Sequence, residues 1–124
     1  MKFRSARHTN NLAPIINFYT NILDLKILGD FKDHDNYGGV FLGIPRADWH
    51  LEFTVSNEKA DHKPDEDDLL VFYASSVTEY EAMLKKFADN NIQPIQAKNP
   101  YWRVHGTNFL DPDGFGIMIA ISTI

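Results

Sequence analysis

Residues 49–55 read Trp49-His50-Leu51-Glu52-Phe53-Thr54-Val55, with large apolar side chains at every odd position and His50, Glu52 and Thr54 at the even ones. Side chains alternate across a β-strand, so one face of this segment packs into a core and the other carries polar groups. A carboxylate on that second face needs a partner, because burying an unpaired charge is costly. The identity of the partner decides what kind of site the strand supports.

Working outward, a short strand is expected at 3–9. After it Leu12, Ile15, Ile16, Tyr19, Ile22 and Leu23 recur at helical spacing, with Asn10 or Asn11 as cap and Pro14 in the first turn. Strands near 26–31 and 37–42 precede the opening stretch, separated by the turn-rich "DHDN" and "GIPRAD". The acid-rich segment 56–68 has no periodicity and reads as a solvated linker, His62 included. The same order then returns: a strand at 69–74, a helix from Val77 to about Asn90 opened by Ser76-Val77-Thr78-Glu79 at capping-box spacing, and strands near 93–98, 101–110 and 115–121. A strand-helix-strand-strand-strand unit is written twice. Superposing the halves makes Arg4 equivalent to Leu69 and Glu52 equivalent to Met118.

A chain of 124 residues fits one domain, and 44% hydrophobic content argues for a folded core. Twelve Lys and Arg against 17 Asp and Glu give a net charge of -5, which disfavours nucleic acid and anionic membranes as partners. Cysteine is absent, excluding thiolate chemistry and disulfides. No apolar leader or bilayer-length run is present, so a cytoplasmic location is expected.

The segments "NLAPIINFYTNILDLKIL" (11–28), "HLEF" (50–53) and "FLDPDGFGIMI" (109–119), in this order and spacing, resemble the vicinal oxygen chelate superfamily of glyoxalase I, extradiol dioxygenases, fosfomycin-resistance enzymes and bleomycin-resistance proteins. The resemblance implies an α+β fold of two βαβββ modules forming an open, curved mixed sheet with helices on the outside. It implies a single domain over 1–124, with module 1 at 1–56, a linker at 57–68 and module 2 at 69–124. It also implies a homodimer.

Metal-dependent members hold a divalent ion with one side chain from the first and last strand of each module. Those positions here are Arg4, Glu52, Leu69 and Met118, of which only Glu52 is a plausible ligand. In the family's sheet, first and last strands are expected as antiparallel neighbours, which sets Arg4 opposite Glu52. Arg4 then fills the cation site and neutralises the carboxylate. That pair either keeps a half-buried carboxylate from being stranded, where loss of one partner costs ~3–5 kcal/mol, or faces a cavity and holds a polar ligand.

Alternation puts Arg4, Ala6 and His8 on one face of the first strand, His50, Glu52 and Thr54 on one face of the fourth, and Leu69, Val71 and Tyr73 on one face of the fifth. Gly116, Met118 and Ala120 share a face of the last. One of Tyr101 and Trp102 is expected to reach a cavity. The candidate ligand-binding residues are therefore Arg4, His8, His50, Glu52, Tyr73, Trp102 and Met118, and the expected function is metal-independent binding of a mostly apolar small molecule with polar handles. The alternatives are a lyase, isomerase or dioxygenase using Fe, Zn, Mn or Ni at His8, His50 and Glu52, and a metal-free enzyme with His8 or His50 as general base. "DPDG" (111–114) is read as a turn.

Overall fold

The computed structural model describes residues 1–122 of the chain, which divides into two units, Met1–His62 and Lys63–Ile124. Each is an α+β arrangement of one small sheet with a helix against one face.

In the first unit, β1 (Phe3–His8) leads into α1 (Leu12–Asn17), capped by Asn11, whose Oδ1 accepts from Ala13 N at 3.1 Å. The helix continues as a π-helical turn over Phe18–Ile22 and stops where Asp24 adopts φ 59°. Strands β2 (Lys26–His34), β3 (Tyr37–Gly43) and β4 (Trp49–Val55) follow. Asp35 and Asn36 have φ of 53° and 67°, the paired positive values that a two-residue hairpin loop requires.

The sheet order is β1-β4-β3-β2, and β1 runs parallel to β4, with Arg4 paired to His50 and Ala6 to Glu52. This corrects the antiparallel expectation. A helical crossover returns the chain to the end where β1 began, so β2 runs in the direction of β1. Two hairpins then reverse that direction twice, which leaves β4 parallel to β1.

The odd positions of β4 pack as the alternation predicts. Leu51 and Phe53 are buried with Val40 and Leu42, and α1 with its π-helical continuation brings Ile15, Phe18, Tyr19 and Ile22 into the same core. The Tyr19 and Phe53 rings lie 4.9 Å apart.

The second unit contains β5 (Leu69–Ala74), α2 (Val77–Asp89), α3 (Pro100–His105), β6 (Gly106–Leu110) and β7 (Gly116–Ile121), in sheet order β5-β7-β6 with β5 parallel to β7. Ser76 caps α2 by accepting from Glu79 N at 3.1 Å, while Glu79 Oε1 accepts from Ser75 N at 3.0 Å. Phe87 of α2 stacks on Phe109 of β6 at 3.8 Å.

Two expected strands change here. The segment 93–98 keeps only one bridge, Ile95 to Asn108, since Pro94 has no N–H to give a ladder. The expected strand 101–110 begins as α3: Asn99 Oδ1 accepts from Tyr101 N at 3.0 Å and Pro100 occupies the first turn, a helix start that reads in sequence like a turn. The segment 56–68 is also more anchored than a solvated linker. Ala60 N donates to Asn10 Oδ1 at 2.8 Å, and half-buried His62 bonds the His8 carbonyl through Nε2.

Phe87 is wholly buried against Phe109, and its replacement leaves a cavity that the stacked ring cannot close. Phe87→Ala is expected to lower unfolding stability by about 3–5 kcal/mol, read from urea denaturation followed by circular dichroism.

Candidate functional site

The even positions of β4 lie on the face opposite α1. The register adds Arg4 and His8 from β1 and Phe41 from β3, which pairs with Glu52. Parallel pairing puts Arg4 directly beside His50, and the Arg4 Nε–H donates to His50 Nε2 at 2.8 Å. A guanidinium has no lone pair to offer, so the imidazole is the acceptor. His50 is therefore neutral in this arrangement, with its proton on Nδ1.

Glu52 lies diagonal to Arg4, with Arg4 Nη1 3.8 Å from Glu52 Oε2. Phe41 completes the group: the guanidinium carbon stands 4.8 Å from its ring centroid, and the His50 ring meets Phe41 edge-on at 5.7 Å.

The expected ion pair is present, but the register alters its character. Arg4's side chain is 50% exposed and that of Glu52 15%. At 3.8 Å with one partner half in solvent, the pair is worth about 0–1 kcal/mol, well below the buried-pair figure. The shorter and better directed contact of Arg4 is the bond to His50.

The remaining expected residues scatter. His8 pairs with Thr54, and its Nε2 is 3.0 Å from Ser56 Oγ while its ring lies 6.0 Å from that of Tyr37. Its ring is thus engaged with the chain after β4, away from His50 and Glu52. In the second unit Tyr73 is exposed on β5, and Met118 has no exposed surface. Trp102 is half-buried on α3, where neighbouring residues turn by about 100°. The strand alternation that was to separate it from Tyr101 does not apply, and the two rings meet edge-on at 5.0 Å. Asp111 is structural: its Oδ1 accepts from Asp113 N at 2.9 Å and Phe115 N at 3.0 Å, the turn read from "DPDG".

Sequence reasoning missed Phe41, although its signal was available. A hairpin pairing residue 43 with 50 necessarily puts 41 beside 52. A cavity of about 250 Å³ in this unit lies on the helix side instead, among Leu12, Ile16, Ile27, Val40 and Val55, and Arg4, His50 and Glu52 do not line it.

The donor set around Glu52 does not fit a divalent ion. An ion there would meet a guanidinium already directed at Glu52, and the nearest imidazole nitrogen is occupied by Arg4. Among the described residues no three His, Asp or Glu side chains group to hold a metal.

Protein NMR tests the tautomer. The imidazole nitrogen shifts of His50 are expected to show protonated Nδ1 and bare Nε2 at neutral pH, and Arg4→Met is expected to abolish that preference. A protonated Nε2 in the native protein would rule the assignment out.

Similarity to known proteins follows the same two-part division. Residues 3–54 match the YycE-like N-terminal domain and residues 67–120 the YycE-like C-terminal domain. The uncharacterized protein YycE of Bacillus subtilis (strain 168) is 41% identical over 122 residues, covering 98% of this chain and 88% of that protein. A 2.0 Å crystal structure of a YycE protein from Bacillus subtilis, 40% identical, has a TM-score of 0.89 over 99% of this chain and 90% of its own. Glyoxalase I of Leishmania major shares the fold at 20% identity, with a TM-score of 0.74 over 95% of this chain and 84% of its own. So does the fosfomycin resistance protein FosX of Listeria monocytogenes at 12% identity, with a TM-score of 0.70 over 97% and 89%. The chain belongs to the YycE-like family and has the fold of the vicinal oxygen chelate superfamily.

Proposed function

We propose that this protein binds a small, mostly apolar molecule through a few polar handles and without a metal ion. The site is the face of the first unit that carries Arg4, His50, Glu52 and Phe41. The observation behind this reading is the 2.8 Å bond from Arg4 Nε to His50 Nε2, which holds a permanent organic cation beside the Glu52 carboxylate. A half-exposed guanidinium lying over a phenyl ring offers a ligand a charged donor edge beside an apolar surface.

A homodimer in the cytoplasm belongs to the same proposal. Ile27 and Leu28, 54% and 42% exposed, lie on the sheet-edge strand β2, where a second copy can cover them. No helix among the described residues is long and apolar enough to cross a membrane.

The test is a thermal-shift screen of amphipathic small molecules, since a binder of the native state raises the unfolding midpoint. Affinity of any hit is then measured before and after EDTA treatment. Equal affinity in both is expected, with a loss of about tenfold or more in Arg4→Met, the size of one charge-assisted hydrogen bond. Stoichiometric Fe, Zn, Mn or Ni in untreated protein, together with turnover that EDTA abolishes, would replace this proposal with the metal-dependent lyase, isomerase or dioxygenase.

A further inference from the structure

Glu52 is the least satisfied group on the polar face of the first unit. Its side chain is only 15% exposed, yet its carboxylate accepts no hydrogen bond from the described residues, and Arg4 Nη1 at 3.8 Å is beyond hydrogen-bond reach. Both carboxylate oxygens nevertheless keep accessible surface. The register explains why no donor answers them. The row across the sheet at this level is Ala6, Glu52, Phe41 and Gly29, and none of the other three has a polar side-chain atom. Ala6 is exposed and offers only a methyl group, which leaves the carboxylate approachable from the β1 edge.

Arg4 faces this carboxylate with donors of its own to spare. Its Nε is taken by His50 and its plane lies over Phe41, but Nη1 and Nη2 donate to none of the described residues. An N–H group and a carboxylate oxygen 3.8 Å apart frame a place for one atom that accepts from the first and donates to the second. An oxygen about 2.8 Å from each meets both conditions. A ligand group entering there displaces water, and only one that reproduces both of water's bonds does so without loss.

This requirement sorts the possible polar handles. A carboxylate accepts from Arg4 but sets a second negative charge against Glu52. An ammonium donates to Glu52 but meets the guanidinium, and an ether oxygen has nothing to donate. A hydroxyl satisfies both partners through a single atom. Beside the pair lies an apolar strip: the Phe31 ring stands 5.8 Å from that of Phe41 and covers Gly39, where a Cβ would come within 2.6 Å of it.

We propose that the first-unit site recognises an un-ionised hydroxyl on an apolar body, an alcohol whose oxygen bridges Arg4 and Glu52 while its hydrocarbon part lies against Phe41 and Phe31. The hydroxyl is the polar handle of the metal-free binding proposed above, and this assignment rests on that reading.

The probes are phenylpropanol, its methyl ether, phenylpropionate and phenylpropylamine, titrated into EDTA-treated, isotope-labelled native protein and followed by amide NMR. Phenylpropanol is expected to shift the Ala6 and Glu52 amides saturably, and the other three to bind at least tenfold more weakly. Glu52→Met is expected to weaken the alcohol at least tenfold and the ether not at all, whereas a merely structural Glu52 would affect all four probes alike. Ala6→Leu, which sets a branched side chain beside the carboxylate, is expected to weaken the alcohol by a similar factor. The comparison among probes needs only native protein, so it decides the matter if a variant does not fold. Ether binding equal to that of the alcohol, tighter binding of either charged analogue, or an alcohol affinity undiminished in Glu52→Met overturns the assignment and leaves metal-free binding of an apolar molecule standing. Absence of any saturable response to phenylpropanol overturns it as well. Alcohol binding that appears in untreated protein and is abolished by EDTA overturns both.

Discussion

The parallel pairing of β1 with β4 is the constraint on which the chemistry of the first unit rests. It fixes Arg4 beside His50 and leaves Glu52 on the diagonal, where a slip of one residue would send the whole polar set to the helix side. The pairing is itself held by packing, because the odd residues of β4 are buried with α1 and cannot exchange faces without exposing Leu51 and Phe53. The position of a charge is thus set by the burial of its apolar neighbours.

Given that register, Arg4 has three simultaneous roles: it donates to His50, approaches Glu52 and covers Phe41. None of these contacts is strong alone, since the guanidinium is half in water and its ion pair is screened. Together they confine a long side chain to one orientation. A guanidinium cannot accept an electron pair, so it can orient and neutralise an anionic or carbonyl group but cannot act as a ligand-exchanging Lewis acid.

Much of this architecture was legible in the sequence. Periodicity alone located β1, α1, β4, β5, α2 and β7, because each buries one stripe or face and its apolar residues recur at the matching interval. The direction of β4 was also recoverable, by counting one crossover and two hairpins. The errors arose where local chemistry outweighs alternation. Asn99-Pro100 reads as a turn and proves to be a helix start, so Trp102 sits in another element from the one expected. Pro94 removes a ladder donor and with it a strand. His8 could not be placed by pattern, because its partner Ser56 lies in a segment without any period.

The two units use one plan for opposite ends, which shows how little the topology decides. On the face away from its helix, the first sheet carries Arg4, His50 and Glu52, and the second carries Val71, Met118 and Ala120 at positions paired in the same way. Charge in the first sheet is answered within the chain. In the second, the Asn108 side-chain oxygen is buried without a hydrogen-bond partner among the described residues. An apolar sheet face packs whatever its register partners are, but a polar atom set into it has to find a specific partner. The duplicated topology therefore fixes the strand register in each unit, while the residues at a few paired positions decide whether the face away from the helix carries charge or apolar side chains.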